Sequence, residues 1–122
     1  MNVGELMSKP VCSVDPESSL AEASTVMGER HVGSALVLEG GRLIGILTER
    51  DVVRAMSHSF DAPNRPVIEW MTKRPTTIGP DTPVKEALRI MVEGGFRHLP
   101  VMESEEVAGM LSMRDIARAL AD

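Results

Sequence analysis

Residues 45–55 read GILTERDVVRA, and residues 109–119 read GMLSMRDIARA. Working outward from this pair, the likeness continues without a gap until residues 3–56 lie over residues 67–120 at a constant offset of 64. Val3, Glu5, Met7 and Lys9 return as Val67, Glu69, Met71 and Lys73, and Pro16, Glu22, Ala23, Met27 and Glu29 return as Pro80, Glu86, Ala87, Met91 and Glu93. In all there are 17 identities in 54 aligned positions, where average composition gives roughly three by chance. The chain is an internal duplication, and a ligand of such a chain is expected between its two similar halves.

The duplication sets the organisation: residues 1–57 form one repeat, 58–66 a linker rich in turn formers, and 67–122 the second repeat. Each half, at about 60 residues, buries too little surface to be comfortably stable alone. The two are expected to pack together. With two Phe, one Trp and no Tyr the core is aliphatic, and nine Met supply adaptable filler.

Periodicity gives the elements. Val84, Ala87, Leu88, Met91 and Val92 fall on one helical stripe, with Pro83 just inside its start and Gly94-Gly95 at its end. Leu20, Ala23 and Met27 mark the same face in the first half, capped by Ser18 or Ser19. Apolar runs at 35–38 and 43–47 flank Gly40-Gly41 and predict a hairpin. Runs at 99–102 and 107–111 predict another around Ser104-Glu105-Glu106. Runs this continuous predict strands covered on both faces. A short strand near Cys12–Val14, and again near Thr76–Ile78, precedes each first helix, and a short helix closes each half. The fold class is therefore α+β, or mixed α/β, with the order β-α-β-β-α occurring twice.

The net charge of −5, with basic residues scattered among acids, argues against nucleic-acid binding. No apolar run approaches the ~18 residues of a membrane span, and the start lacks the basic and apolar regions of a signal peptide. A cytoplasmic location is expected. Cys12 stands alone, which excludes an internal disulfide and a CxxC site; it reads as a small buried apolar residue. The three histidines share no ligand spacing, so no metal site is expected. His31, near the end of the first helix, suits a cation on the helix dipole. No catalytic constellation or P-loop is present, and no cofactor is required.

The repeated Ser/Thr-x-x-Asp at the end of a strand, Thr48–Asp51 and Ser112–Asp115, is first of all a capping box. Yet a helix start also presents amides and a positive dipole end to an anion, and a carboxylate there can accept paired hydrogen bonds from a sugar diol. Phosphate with ribose describes a nucleotide.

The tandem β-α-β-β-α order, each copy ending in G-h-h-[ST]-x-x-D-h (h apolar), together with Gly33-Ser34-Ala35-Leu36-Val37 and Arg97-His98-Leu99-Pro100-Val101, resembles a pair of CBS domains, the regulatory unit called a Bateman module. The resemblance spans residues 3–120. It implies a pseudo-two-fold pair that is non-enzymatic and binds an adenosine compound (AMP, ADP, ATP, NAD(H) or S-adenosylmethionine) in clefts between its halves. It further implies a homodimer and, since 122 residues leave no room for a fused effector, a separate effector protein. Carried over residue by residue, one cleft draws on Asp115, Ser112, Arg114 and Met110 with Gly33, Ser34, Ala35 and His98, and with Ala23 nearby. The other draws on Asp51, Thr48, Arg50 and Ile46 with Arg97, His98 and Leu99. His98 in one cleft, against Ser34 in the other, predicts tighter phosphate binding at the Asp115 cleft. The alternative is an interaction module with empty clefts, in which both motifs act only as caps.

Overall fold

A computed structural model describes the whole chain, residues 1–122. The elements in order are α1 (Val3–Leu6), β1 (Ser13–Val14), α2 (Leu20–Glu29), β2 (Ser34–Glu39), β3 (Arg42–Thr48) and α3 (Glu49–His58). After two short 3-10 turns come β4 (Thr72–Lys73), α4 (Val84–Gly94), β5 (His98–Glu103), β6 (Glu106–Ser112) and α5 (Met113–Ala121). Helix and strand are mixed, and the β-α-β-β-α order is present in the first repeat. No helix is long and apolar enough to cross a membrane.

The chain divides into two compact units, residues 12–75 and residues 1–11 with 76–122. The repeat as a sequence and the unit in space are thus different sets of residues. The opening segment of each repeat packs in the unit that holds the other repeat's sheet. Val3 is fully buried in the core with Ile78, Ala87, Met91, Leu99, Val101, Leu111 and Ile116. Its counterpart Val67 is buried with Leu20, Ala23, Met27, Ala35, Val37, Leu47 and Ala55.

In the 12–75 unit the sheet order is β1-β2-β3-β4, with β1 parallel to β2 and the other pairs antiparallel. Ala35, Leu36 and Val37 are each fully buried, so both faces of β2 are covered as the unbroken apolar run predicts. Gly40 and Gly41 turn the hairpin at φ 58° and 81°, the left-handed region glycine enters without a Cβ penalty. Ser19, of the two candidate caps, accepts the Glu22 amide at 3.0 Å, and Glu22 accepts the Ser19 amide at 2.9 Å. The linker is more than a spacer, because Ala62 within it is fully buried.

The other unit pairs β5 with β6 in the matching register and the matching irregularity, at Val101/Met102 as at Val37/Leu38. Its first strand departs from expectation. Near Thr76–Ile78 only a single parallel bridge forms, Ile78 to Val101. The reason stands at the position 64 residues after Leu36. The Leu36 amide donates to the Cys12 carbonyl at 2.8 Å, and Pro100 in its place has no N–H to give. Pro83 is also displaced from its expected position. It is the extended N-cap of α4, one residue outside the first turn, while Gly95 ends that helix at φ 73°. His31 lies past the end of α2 at φ 55° and is exposed.

Candidate functional site

Each motif forms a strand-to-helix corner, and the two corners are built alike. In the 12–75 unit the hairpin register sets Ser34 opposite Thr48 and Ala35 opposite Leu47. The Glu49 amide donates to the Gly33 carbonyl at 3.1 Å, fastening the start of α3 to the start of β2. Thr48 and Asp51 close a capping box: the Asp51 amide donates to the Thr48 hydroxyl oxygen at 3.2 Å, and the Thr48 amide to the Asp51 carboxylate at 3.0 Å. In the other unit His98 lies opposite Ser112 and Leu99 opposite Leu111. The Met113 amide donates to the Arg97 carbonyl at 2.8 Å. There the Asp115 amide donates to Ser112 Oγ at 3.0 Å, and the Ser112 amide to Asp115 Oδ2 at 2.8 Å.

Gly33, Ser34, Ala35, Ile46, Thr48, Arg50 and Asp51 are therefore gathered in one unit, and Arg97, His98, Leu99, Met110, Ser112, Arg114 and Asp115 in the other. Ile46 and Met110 occupy matching buried positions, whereas Arg50, Arg97 and Arg114 are exposed. Ala35 and Leu99 belong to the cores of their own units, so their side chains are committed to packing. The expected bank of open amides at each helix start is reduced: in both helices the first is already given to the carbonyl just before the hairpin's first strand, Gly33 or Arg97, and the third to the cap.

Three residues at the first corner carry no role in the sequence reading. Arg54 Nη2 donates to Asp51 Oδ1 at 3.2 Å. Thr72 Oγ1 stands 3.4 and 3.5 Å from the two carboxylate oxygens, a long and shared contact. Trp70 lies under Arg54, its ring centre 6.0 Å from the guanidinium carbon. Arg54 was visible as an identity with Arg118, but identity alone assigns no partner. Cys12 is 6% exposed, and burial pushes its thiol up in pKa against the pull of Arg30, as suits a packing residue. Two open depressions on the surface, one lined by Glu103–Ala108 and one by residues of the N-terminus with Pro80 and Asp81, contain no motif residue.

A duplicated strand-to-helix corner with a hydroxyl and an aspartate at each helix start defines a class, and comparison with known proteins gives it a name. The CBS domain profile matches twice, at residues 3–58 and 67–122. The chain belongs to the CBS-domain family and carries a tandem pair. An uncharacterized 17.7 kDa protein of Acidianus ambivalens is 42% identical over 98% of this chain and 73% of its own length. CBS-domain proteins of Arabidopsis thaliana match at 39% identity over 90% of this chain, which spans only 20% of their length. Among solved structures, the CBS-domain protein ATU1752 of Agrobacterium tumefaciens is 30% identical, with a TM-score of 0.94 over 98% of this chain and 99% of that one. PAE2072 of Pyrobaculum aerophilum, solved with AMP, is 27% identical, with a TM-score of 0.89 over 99% and 95%.

Proposed function

We propose that this CBS pair is a non-enzymatic sensor that binds an adenosine-containing ligand and passes its occupancy on as a change of shape or of affinity for a partner. The observation that carries the reading is the Ser112–Asp115 corner, with a carboxylate held by a cap on one oxygen beside the exposed Arg114. Asp115 takes the ribose diol and Arg114 with His98 the phosphate. A relative solved with AMP supports the ligand class. Val53 (64% exposed), Met56 (54%) and Leu120 (76%) leave apolar area uncovered on α3 and α5, which supports a homodimer with two-fold symmetry. A cytoplasmic setting suits both.

A second reading has its own observation. Both Ser/Thr-x-x-Asp motifs are closed as capping boxes, as they would be in an interaction module that binds no small molecule. Thermal melts with AMP, ADP, ATP, NADH and S-adenosylmethionine separate the two. A ligand that binds only the folded chain adds about 2.7 kcal/mol at a hundredfold excess over Kd. A melting temperature unmoved by millimolar concentrations of all five would remove the sensor reading.

A further inference from the structure

We propose that Asp51, although it repeats Asp115, is a structural latch, so that the chain takes its adenosine ligand with one motif aspartate and not two. The inference rests on the sensor reading for the class of ligand. It stands otherwise on the difference between two carboxylates in matching backbone positions.

Asp51 is 3% exposed. Its Oδ2 lies within hydrogen-bond reach of the Thr48 amide at 3.0 Å and the Thr48 hydroxyl at 3.1 Å, and its Oδ1 accepts Arg54 at 3.2 Å. Arg54 also reaches the Trp70 carbonyl at 3.4 Å and lies over the Trp70 ring, which stands 5.8 Å from the His58 ring at the far end of α3. Thr72 adds its long contact and pairs through its backbone with Ile46. The carboxylate thus ties α3 to residues 70–72, and those residues to the sheet. Both of its oxygens are in use, and solvent scarcely reaches it.

Asp115 has none of this. It is half-buried, and the one hydrogen bond its carboxylate receives comes from the Ser112 amide to Oδ2. Arg118 keeps the spacing of Arg54, but Leu6 replaces Trp70, Ser8 replaces Thr72 and Asp122 replaces His58 at the offset of 64. Without the indole there is no platform to hold the guanidinium over the acid. Asp115 Oδ1 is left to accept from outside, and a ribose diol needs a carboxylate with that freedom. The sequence expected unequal sites on account of His98; the structure adds a separate cause in the acid itself.

Calorimetric titration of the full chain with AMP, paired with thermal melts without ligand, tests this. Wild type should bind one AMP per chain. Asp115→Asn should weaken binding about tenfold to a hundredfold, the loss of a charge-assisted bond. Asp51→Asn should keep AMP affinity within about threefold while lowering the melting temperature by about 4 °C or more, because an amide turns N–H groups toward donors. If Asp51→Asn does not fold, Thr72→Val loosens the same tie with the charge intact; it should lower the melting temperature and leave AMP affinity unchanged. Two equivalent AMP per chain, or AMP affinity lost in Asp51→Asn or Thr72→Val as in Asp115→Asn, would overturn the latch alone. A wild-type chain that binds neither AMP nor any other adenosine compound would overturn the sensor reading and the latch's consequence with it.

Discussion

Gly109 opens the G-h-h-[ST]-x-x-D motif, and its reason is packing by the N-terminal segment. A Cβ added there would stand 2.7 Å from Met7 Sδ, 2.9 Å from Met7 Cγ and 3.1 Å from the Ser8 carbonyl oxygen. The thioether can swing away, but the carbonyl is held, since Ser8 and Met110 exchange hydrogen bonds at 2.8 and 3.2 Å. Gly109→Ala should therefore cost about 1–3 kcal/mol, the range for an overpacked interior. In a chain of this size that lowers the melting temperature by about 4 °C per kcal/mol. The decisive assay is a double-mutant cycle with Met7→Ala, followed by urea or thermal denaturation. Removing the side chain that meets the new methyl should recover part of the loss, giving a coupling of about 0.5–3 kcal/mol, with the contact to Ser8 remaining. Gly45→Ala with Met71→Ala should behave likewise, as Met71 Sδ stands 2.5 Å from the Cβ position there. A Gly109→Ala chain as stable as wild type, or losses that add to within about 0.5 kcal/mol, would refute the packing of this segment on β6.

Two further outcomes follow from the same geometry. Val3→Ala and Val67→Ala each empty part of a fully buried site and should each cost about 2 kcal/mol by chemical denaturation; a silent Val3→Ala would mean that the first residues are not part of a core. The hydrogen bond Glu22 accepts from the Ser19 amide, and after it the Ser19 side chain, hold its carboxyl below the ordinary value. A depressed pKa contributes stability that is present above the unfolded value near ~4.3 and lost as pH falls through the folded one. Destabilising the cap with Ser19→Ala should bring the Glu22 titration, followed by NMR, back toward the ordinary value, and an unmoved titration would count against the capping box.

Much of the fold is legible because helix and strand periods survive in both copies at one offset. What the sequence hides has particular causes. Val3 and Val67 are the same residue, and so are Met7 and Met71, so nothing in them says which repeat's sheet each opening segment joins. The missing second strand hangs on one imino acid, since Pro100 differs from Leu36 in lacking the one donor that matters to β1. At the candidate site the motif residues are plain, but their unequal surroundings are not. Asp51–Arg54 and Asp115–Arg118 have the same spacing, and only the first pair is joined. Trp70 against Leu6, more than ten residues from either motif in sequence, accompanies that difference.

Capping and ligand binding are usually set against each other when a Ser/Thr-x-x-Asp is found at a helix start, and the reading proposed for the two corners here does not need that opposition. A cap that takes one oxygen restricts the rotamer of the acid and leaves the other oxygen outside that bond, which would lower the entropy a ligand must overcome on binding. At Asp115 the Ser112 amide holds Oδ2 at 2.8 Å, so the cap engages one carboxylate oxygen and leaves the other to the proposed ligand. At Asp51 the same cap is joined by Arg54 and a burial of all but 3%, and the other oxygen is consumed from inside. On the proposed reading, what separates a receptor from a structural residue is the second oxygen of the carboxylate, and the residues that govern it at Asp51, Arg54 and Trp70, lie outside the Ser/Thr-x-x-Asp motif.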